Sequence, residues 1–533
     1  MDRDPGHRTM WQRVAAATLT ADRLLRTRWE AIALVVVLIG AAVLRGYNLD
    51  SLPYGITGDE ASSGLEARRI LTDGWIGPYS PLSLGQPAGT FYLDAMSFGI
   101  FGESVTTLRL VSAVAGSLTV LAIYVLARRS FGRAAPAIAA AGILAVSSWH
   151  IHFSRMAVPL PTWPLVALLA TVATIEAIRS RKAVWWVLAG VFAALGSYVY
   201  DANSAFVIVL GLFLLGWGLI DRRRTAAAGI AISAVAFVLT LTPLIWYAVA
   251  HRAAYLAHTR YAWVFDKEEW TSLRGLDDHI SFVLGRYVDF WDNLCCHPTI
   301  DGIDGTGSAP LAPPVLLVVA GMGVAAFLVR RRCAVLCLAM LALLLMPFAS
   351  VFTEGAMARR AFLVLPFIAL FAAFAVAEVA ALSSRHTNIT KLGAGVAIAF
   401  ALTYVASEDL RAYFGRFAGS ETERWVFGRE LYDANTFMRE IPSSDYVYFF
   451  SERWSFDYET RKFLAPAASG IDRSAEFGTY SLAVGRDRHP VFVLLGRYKR
   501  VVADIRLRYP AGREIVGGSG RVPTFIAYVP DAG

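Results

Sequence analysis

Two acids stand side by side in "LPYGITGDEASSGLEARRIL" (52–71): Asp59 and Glu60, a few residues beyond the first long apolar run. A carboxylate gains nothing from nearby lipid. Either it is solvated at a helix N-terminus, where the dipole favours acids, or it serves as a general base. Arginines at other apolar boundaries would complement a base: Arg155 in "HIHFSRMAV", Arg359 and Arg360 in "TEGAMARRAF", and Arg260 in "AHTRYAW". A guanidinium fork matches phosphate oxygens through two parallel hydrogen bonds. The bland reading of these arginines is interfacial snorkelling. His150 and His152 flank Arg155, Tyr200 and Asp201 fill a very short loop, and Glu354 precedes the Arg359–Arg360 pair. These five are candidates to line a cavity. Asp201 alternatively caps the next helix, and the histidines read more simply as hydrogen-bonded boundary residues.

The elements that must position these groups are membrane helices. Of 533 residues, 56% are hydrophobic and 17% charged, and the apolar residues come in blocks such as 31–44 and 108–127. Apolar runs long enough to cross a bilayer read as spanning helices. The first run follows about thirty Arg-rich residues without a small-x-small cleavage site, so it reads as a retained helix, not a signal peptide. The net charge of +8 does not point to nucleic acid, because the basic residues cluster between apolar runs. Arg128, Arg129 and Arg133; Arg179, Arg181 and Lys182; Arg222, Arg223 and Arg224; Arg330, Arg331 and Arg332; and Arg385 with Lys391 occupy every second loop. The positive-inside rule assigns these loops and the N-terminus to the cytoplasm.

The expected fold class is mainly α: a bundle of about eleven spanning helices over 1–406, followed by a small α/β domain over 407–533 outside the cytoplasm. Outer loops are expected at 48–106 and 251–311, the first with short boundary helices at 59–71 and 88–102. In the tail, strand-like 445–451, 490–496 and 523–529 alternate with helical stretches, and no Gly-rich phosphate loop follows them. The cysteines are Cys295, Cys296, Cys333 and Cys337, which show no disulfide framework. "CCHP" (295–298) lacks companion ligands at matching spacing, so neither metal nor cofactor is expected.

An outer "GDE" after helix one, then "FGESVTTLRLVSAVAGSLTVLAIYVLARRSFG", "HIHFSRMAV", "GSYVYDANSAFVIV", "PFASVFTEGAMARRAFLVLPF" and "EDLRAYFGRFA" together carry a resemblance. This ordered set resembles the GT-C glycosyltransferases. It is most similar to glycosyltransferase family 39, the protein mannosyltransferase and lipid A aminoarabinose transferase group. The resemblance implies transfer of a sugar, with inversion, from a polyprenyl-phosphate donor to a lipid, polysaccharide or protein acceptor at the outer face of a plasma membrane. It also implies that the acid of the first outer loop, Asp59 with Glu60 beside it, lies near the acceptor. The chemistry agrees: such a transfer needs a base on the nucleophile and charge stabilisation on the departing phosphate, and no acid on a leaving group already so good. Two readings of other classes stand beside it. A flippase for a lipid-linked sugar would show polar or broken helices at mid-membrane and internal repeats. A cell-envelope assembly scaffold would bind partners through the tail without chemistry.

Overall fold

The computed structural model describes residues 10–82, 85–221, 224–299, 302–330, 333–385, 387–474, 488–518 and 522–531. Arg222, Arg223, Arg331 and Arg332 of the basic clusters lie outside the described residues. Helix α1 (Met10–Gly46) leads into the acid-bearing loop and α2 (Gly58–Asp73). A two-stranded hairpin, β1 (Tyr79–Ser80) and β2 (Gln86–Pro87), and α3 (Gly89–Phe101) precede α4 (Val105–Phe131). Helices α5 (Ala134–Val146) and α6 (Ser148–Ser154) form one apolar path bent by 60°. Next come α7 (Thr162–Ser180), α8 (Ala183–Leu195), α9 (Asn203–Ile220) and α10 (Arg224–Ala250). The second long loop holds α11 (Arg252–Ala262), α12 (Glu268–Thr271) and α13 (Leu276–Cys295). Helices α14 (Pro314–Arg330), α15 (Ala334–Leu345), the single turn α16 (Phe348–Val351), α17 (Val364–Ser383) and α18 (Asn388–Leu410) complete the bundle.

Eight helices among the described residues are long and apolar enough to cross a membrane, or nine with the bent pair counted as one span. Two shorter apolar helices, Ala183–Tyr198 and Pro314–Arg330, occupy the positions of the remaining two of the eleven expected. The core runs along α17, whose residues from Val364 to Ala373 are all buried. Close approach there needs a glycine: a Cβ at Gly323 of α14 would lie 2.0 Å from the Phe371 carbonyl oxygen. Other faces, such as Val235, Val238 and Leu239 of α10, are exposed apolar surface, as lipid contact requires.

The composition change at Ser407 is not a helix end. Helix α18 continues through a π-helical turn, Arg411–Phe417, that buries Tyr413 and Phe417. The extra residue per turn re-aims these aromatics inward. After α19 (Glu421–Val426) and α20 (Arg429–Met438) comes a mixed sheet: β3 (Asp445–Phe450), β4 (Gly470–Asp472), β5 (His489–Leu495), β6 (Gly512–Val516) and β7 (Phe525–Pro530). Helix α21 (Glu459–Leu464) lies between β3 and β4, and α22 (Val502–Arg508) between β5 and β6. Strand order is β4-β3-β5-β7-β6, with β3 parallel to both neighbours and β7 antiparallel to both of its own. Period-two alternation turns Val447, Phe449, Val491 and Val493 toward Leu431, Ala434 and Met438 of α20. Tyr448, Phe450, Phe492 and Leu494 face Ile505 of α22 on the opposite side. The three long strands sit where the alternation places them. The short edge strands β4 and β6 escape a pattern reading because "GID" and "GREIV" are too short or too polar to alternate.

Candidate active site

Thr57 caps α2 with a full capping box: its side chain accepts from the Glu60 N–H, and the Glu60 side chain accepts from the Thr57 N–H. This fixes the two acids in different directions. Glu60 is fully buried. Its Oε1 lies 2.7 Å from Arg109 Nε and accepts from the Ala157 N–H at 3.0 Å, while Oε2 accepts from Thr57 N at 3.0 Å and Arg109 Nη2 at 3.2 Å. With these donors around it, Glu60, expected beside Asp59 as a second catalytic acid, anchors the turn in this structure. Asp59 is exposed, and its carboxylate makes no hydrogen bond or ion pair among the described residues. It lies against the C-terminal domain, where its charge adds to burial and to Glu459 in raising the Tyr458 hydroxyl above its ordinary pKa.

Two buried arginines hold the loop that carries Asp59. Arg109, from α4, donates to the carbonyls of Leu49, Pro53 and Gly55. Arg155, just past α6, donates to those of Leu44, Tyr47, Asn48 and Leu52 at 2.6–3.2 Å. Arg155, expected as a phosphate-binding candidate, is fully buried here, with its fork filled by backbone as a clamp on the end of α1. From the other side, the Phe427 carbonyl accepts from the Ile56 N–H at 2.9 Å, and Glu423 accepts from the Tyr54 N–H at 3.0 Å. A Cβ at Gly55, whose φ is +111°, would lie 2.2 Å from that same Phe427 oxygen, so the approach requires glycine.

The other candidates gather where α11, the Tyr200–Asp201 loop and the Ala358–Ala361 turn meet. Asp201 Oδ2 lies 3.4 Å from His258 Nδ1. Arg359 pairs with buried Asp304 at 3.3 Å. Among the described residues the Arg360 guanidinium makes one long hydrogen bond, Nη1 to the Ala262 carbonyl at 3.5 Å. Burial pulls Arg360 below its ordinary pKa, opposed first by Tyr200 beside it. A partly desolvated guanidinium with open donors is an anion-binding group. Arg260 is exposed one turn away on α11. Glu354 pairs with Lys267 at 2.9 Å. The structure thus gathers Tyr200, Asp201, Arg359 and Arg360, and no hydrogen bond or ion pair among the described residues joins them to Asp59. Beside this group, α9, α10 and α11 line an open groove of about 820 Å³, mainly with apolar side chains, with Arg252 and Tyr255 among them.

The histidines are interior groups. His150 Nδ1 lies 2.9 Å from Nη2 of buried Arg45, and His152 Nε2 lies 3.0 Å from the Ile303 carbonyl amid aromatic rings. Cys295 and Cys296 are bonded to each other, a pairing that spacing alone does not show. Sequence reasoning misses Arg109, Asp304, His258 and Tyr458. A signal existed only for Arg109, a lone charge inside an apolar run, which must find a partner or a carbonyl cage.

Residues 85–246 match the sequence model of the family described as dolichyl-phosphate-mannose-protein mannosyltransferase. That match covers less than a third of the chain, and beyond it the likeness to known proteins is one of fold. It is similar to ArnT from Cupriavidus metallidurans in the apo state, at 14% identity and TM-score 0.55, covering 94% of this chain and 98% of that one. The same protein bound to undecaprenyl phosphate gives 13% identity and TM-score 0.52 at the same coverage. The Archaeoglobus fulgidus oligosaccharyltransferase gives 15% identity and TM-score 0.52, with 83% of this chain aligned to 64% of that one. No curated protein matches the chain in sequence.

Proposed function

We propose that this multi-pass membrane protein transfers a sugar from a polyprenyl-phosphate donor to an acceptor at the outer face of the membrane, with Asp59 as the base. The observation that carries the reading is the division of labour in the acidic pair. Glu60 is consumed by Arg109, whereas Asp59 is exposed and, among the described residues, unpaired on a loop clamped by Arg109 and Arg155. A base held on a rigid support needs little reorganisation during reaction. Arg360 holds the donor phosphate, and the neighbouring groove between α9, α10 and α11 takes the first part of the polyprenyl chain. The undecaprenyl phosphate bound by the similar ArnT supports a lipid-phosphate donor.

In the reaction the acceptor oxygen attacks the anomeric carbon as its proton passes to an Asp59 carboxylate oxygen. The bond from that carbon to the phosphate oxygen breaks, and the electron pair leaves on the polyprenyl phosphate, where Arg360 neutralises it. A single displacement inverts the anomeric carbon. The basic loops support a cytoplasmic N-terminus and an extracytoplasmic C-terminal domain. The test is to compare lipid-linked sugars in cells with and without the protein. Accumulation of one polyprenyl-phosphate sugar on deletion, reversed by the wild type and not by Asp59→Asn, is the expected result. An unchanged lipid pool counts against the reading.

A further inference from the structure

Resting on the base role proposed for Asp59, an unassigned surface of the C-terminal domain bears on the acceptor. Trp425 at the end of α19 is 65% exposed, although it belongs to an otherwise packed junction. The Arg453 guanidinium lies 3.7 Å from the centre of its ring and 4.6 Å from that of Trp454, and Arg453 Nη1 donates to the Trp425 carbonyl at 2.6 Å. The indole is therefore held at a fixed orientation while most of it stays in water. Around it Glu452 pairs with Arg497 at 2.8 Å, and Glu430 acts on Arg453 through space.

Tyr458 is a neighbour that this surface and the base share. Arg453 and Asp59 both act electrostatically on Tyr458. Tyr458 in turn packs on the residue before the base: a Cβ at Gly58 would fall 2.4 Å from its hydroxyl oxygen. An oriented aromatic ring with hydrogen-bonding groups of both signs at its margin suits the ring of a neutral sugar, whose C–H face lies on the indole while its hydroxyls meet carboxylate and guanidinium.

We propose that Trp425, Arg453 and Trp454 form a platform that seats the saccharide ring of a carbohydrate acceptor beside Asp59. The test uses the full chain in phosphatidylcholine nanodiscs, with maltotriose, mannotriose and galactotriose as probes, by saturation-transfer NMR. At least one trisaccharide binds the wild type. Binding falls tenfold or more in Trp425→Ala and less in Trp425→Phe. Tighter binding of the same trisaccharide on a lipid anchor assigns the platform to glycolipids, and equal binding assigns it to polysaccharide; either upholds it. Binding of no probe to the wild type, or undiminished binding to folded Trp425→Ala, overturns it. So does loss in Trp425→Ala of affinity for anionic vesicles alone. Normal turnover in Asp59→Asn would instead refute the base, and the difference between wild type and Trp425→Ala would still stand.

Discussion

Glu60 Oε1 lies 2.7 Å from Arg109 Nε, and both side chains are wholly buried. One residue earlier, Asp59 is exposed and has no ion-pair partner among the described residues. The two carboxylates of one dipeptide therefore live in opposite environments, and one holds the other in place.

The first prediction separates them. Glu60→Gln or Arg109→Ala breaks a buried pair, a change that typically costs about 3–5 kcal/mol. Thermal unfolding of the detergent-solubilised protein should shift clearly downward for both. Asp59→Asn should fall within about 0.5 kcal/mol of wild type, the range for exposed substitutions. Equal unfolding temperatures for all three variants would contradict the division.

The two arginines divide in the same way. Arg155→Lys loses the fork that clamps the carbonyls of Leu44 to Leu52 and should lower stability. Arg360→Ala should leave stability near wild type and weaken donor binding, with Arg360→Lys intermediate. Isothermal titration with the polyprenyl-phosphate product measures this. Unchanged product affinity in Arg360→Ala would remove Arg360 from the phosphate site.

A third prediction concerns the seat of the C-terminal domain on α2. A Cβ at Gly64 would meet the Phe463 ring at 2.4 Å, and Arg68 donates to the Phe463 carbonyl at 3.0 Å. Gly64→Ala should therefore loosen α21 from α2, seen as faster amide exchange over 459–464. Gly58→Ala should do the same through Tyr458, and Tyr458→Phe should relieve part of that effect by removing the obstructing oxygen. Identical exchange in Gly64→Ala and wild type would show that this contact does not hold the domain.

Much of this was legible in the sequence, and the exceptions share a cause. Apolar runs mark the bundle because a bilayer leaves a chain little choice of residue, and Val447 to Phe450 mark a strand because two faces are buried at once. That Asp59 and Glu60 point differently follows from helix geometry alone. Which one is free does not, since it depends on Arg109, forty-nine residues away. Likewise Arg155 reads as a boundary cation until the carbonyls of the preceding loop are seen around it. Asp304 lies in an irregular stretch and His258 on the short helix α11, and nothing local marks their partners Arg359 and Asp201.

Topology supplies a fourth prediction. Leu507 on α22 is 81% exposed. In a background with the free cysteines Cys333 and Cys337 replaced, Leu507→Cys should react with an impermeant maleimide in intact cells. Reaction only after permeabilisation would place the C-terminal domain, and Asp59 with it, on the cytoplasmic side.

The central claim is that Asp59 takes the acceptor proton, and turnover of Asp59→Asn under saturating donor and acceptor tests it most directly. Asparagine keeps the size and cannot accept the proton, so kcat should fall by about 10²–10⁴ with product affinity and unfolding temperature unchanged. Near-normal kcat in that variant would contradict the account and leave Asp59 a solvated residue at the start of α2.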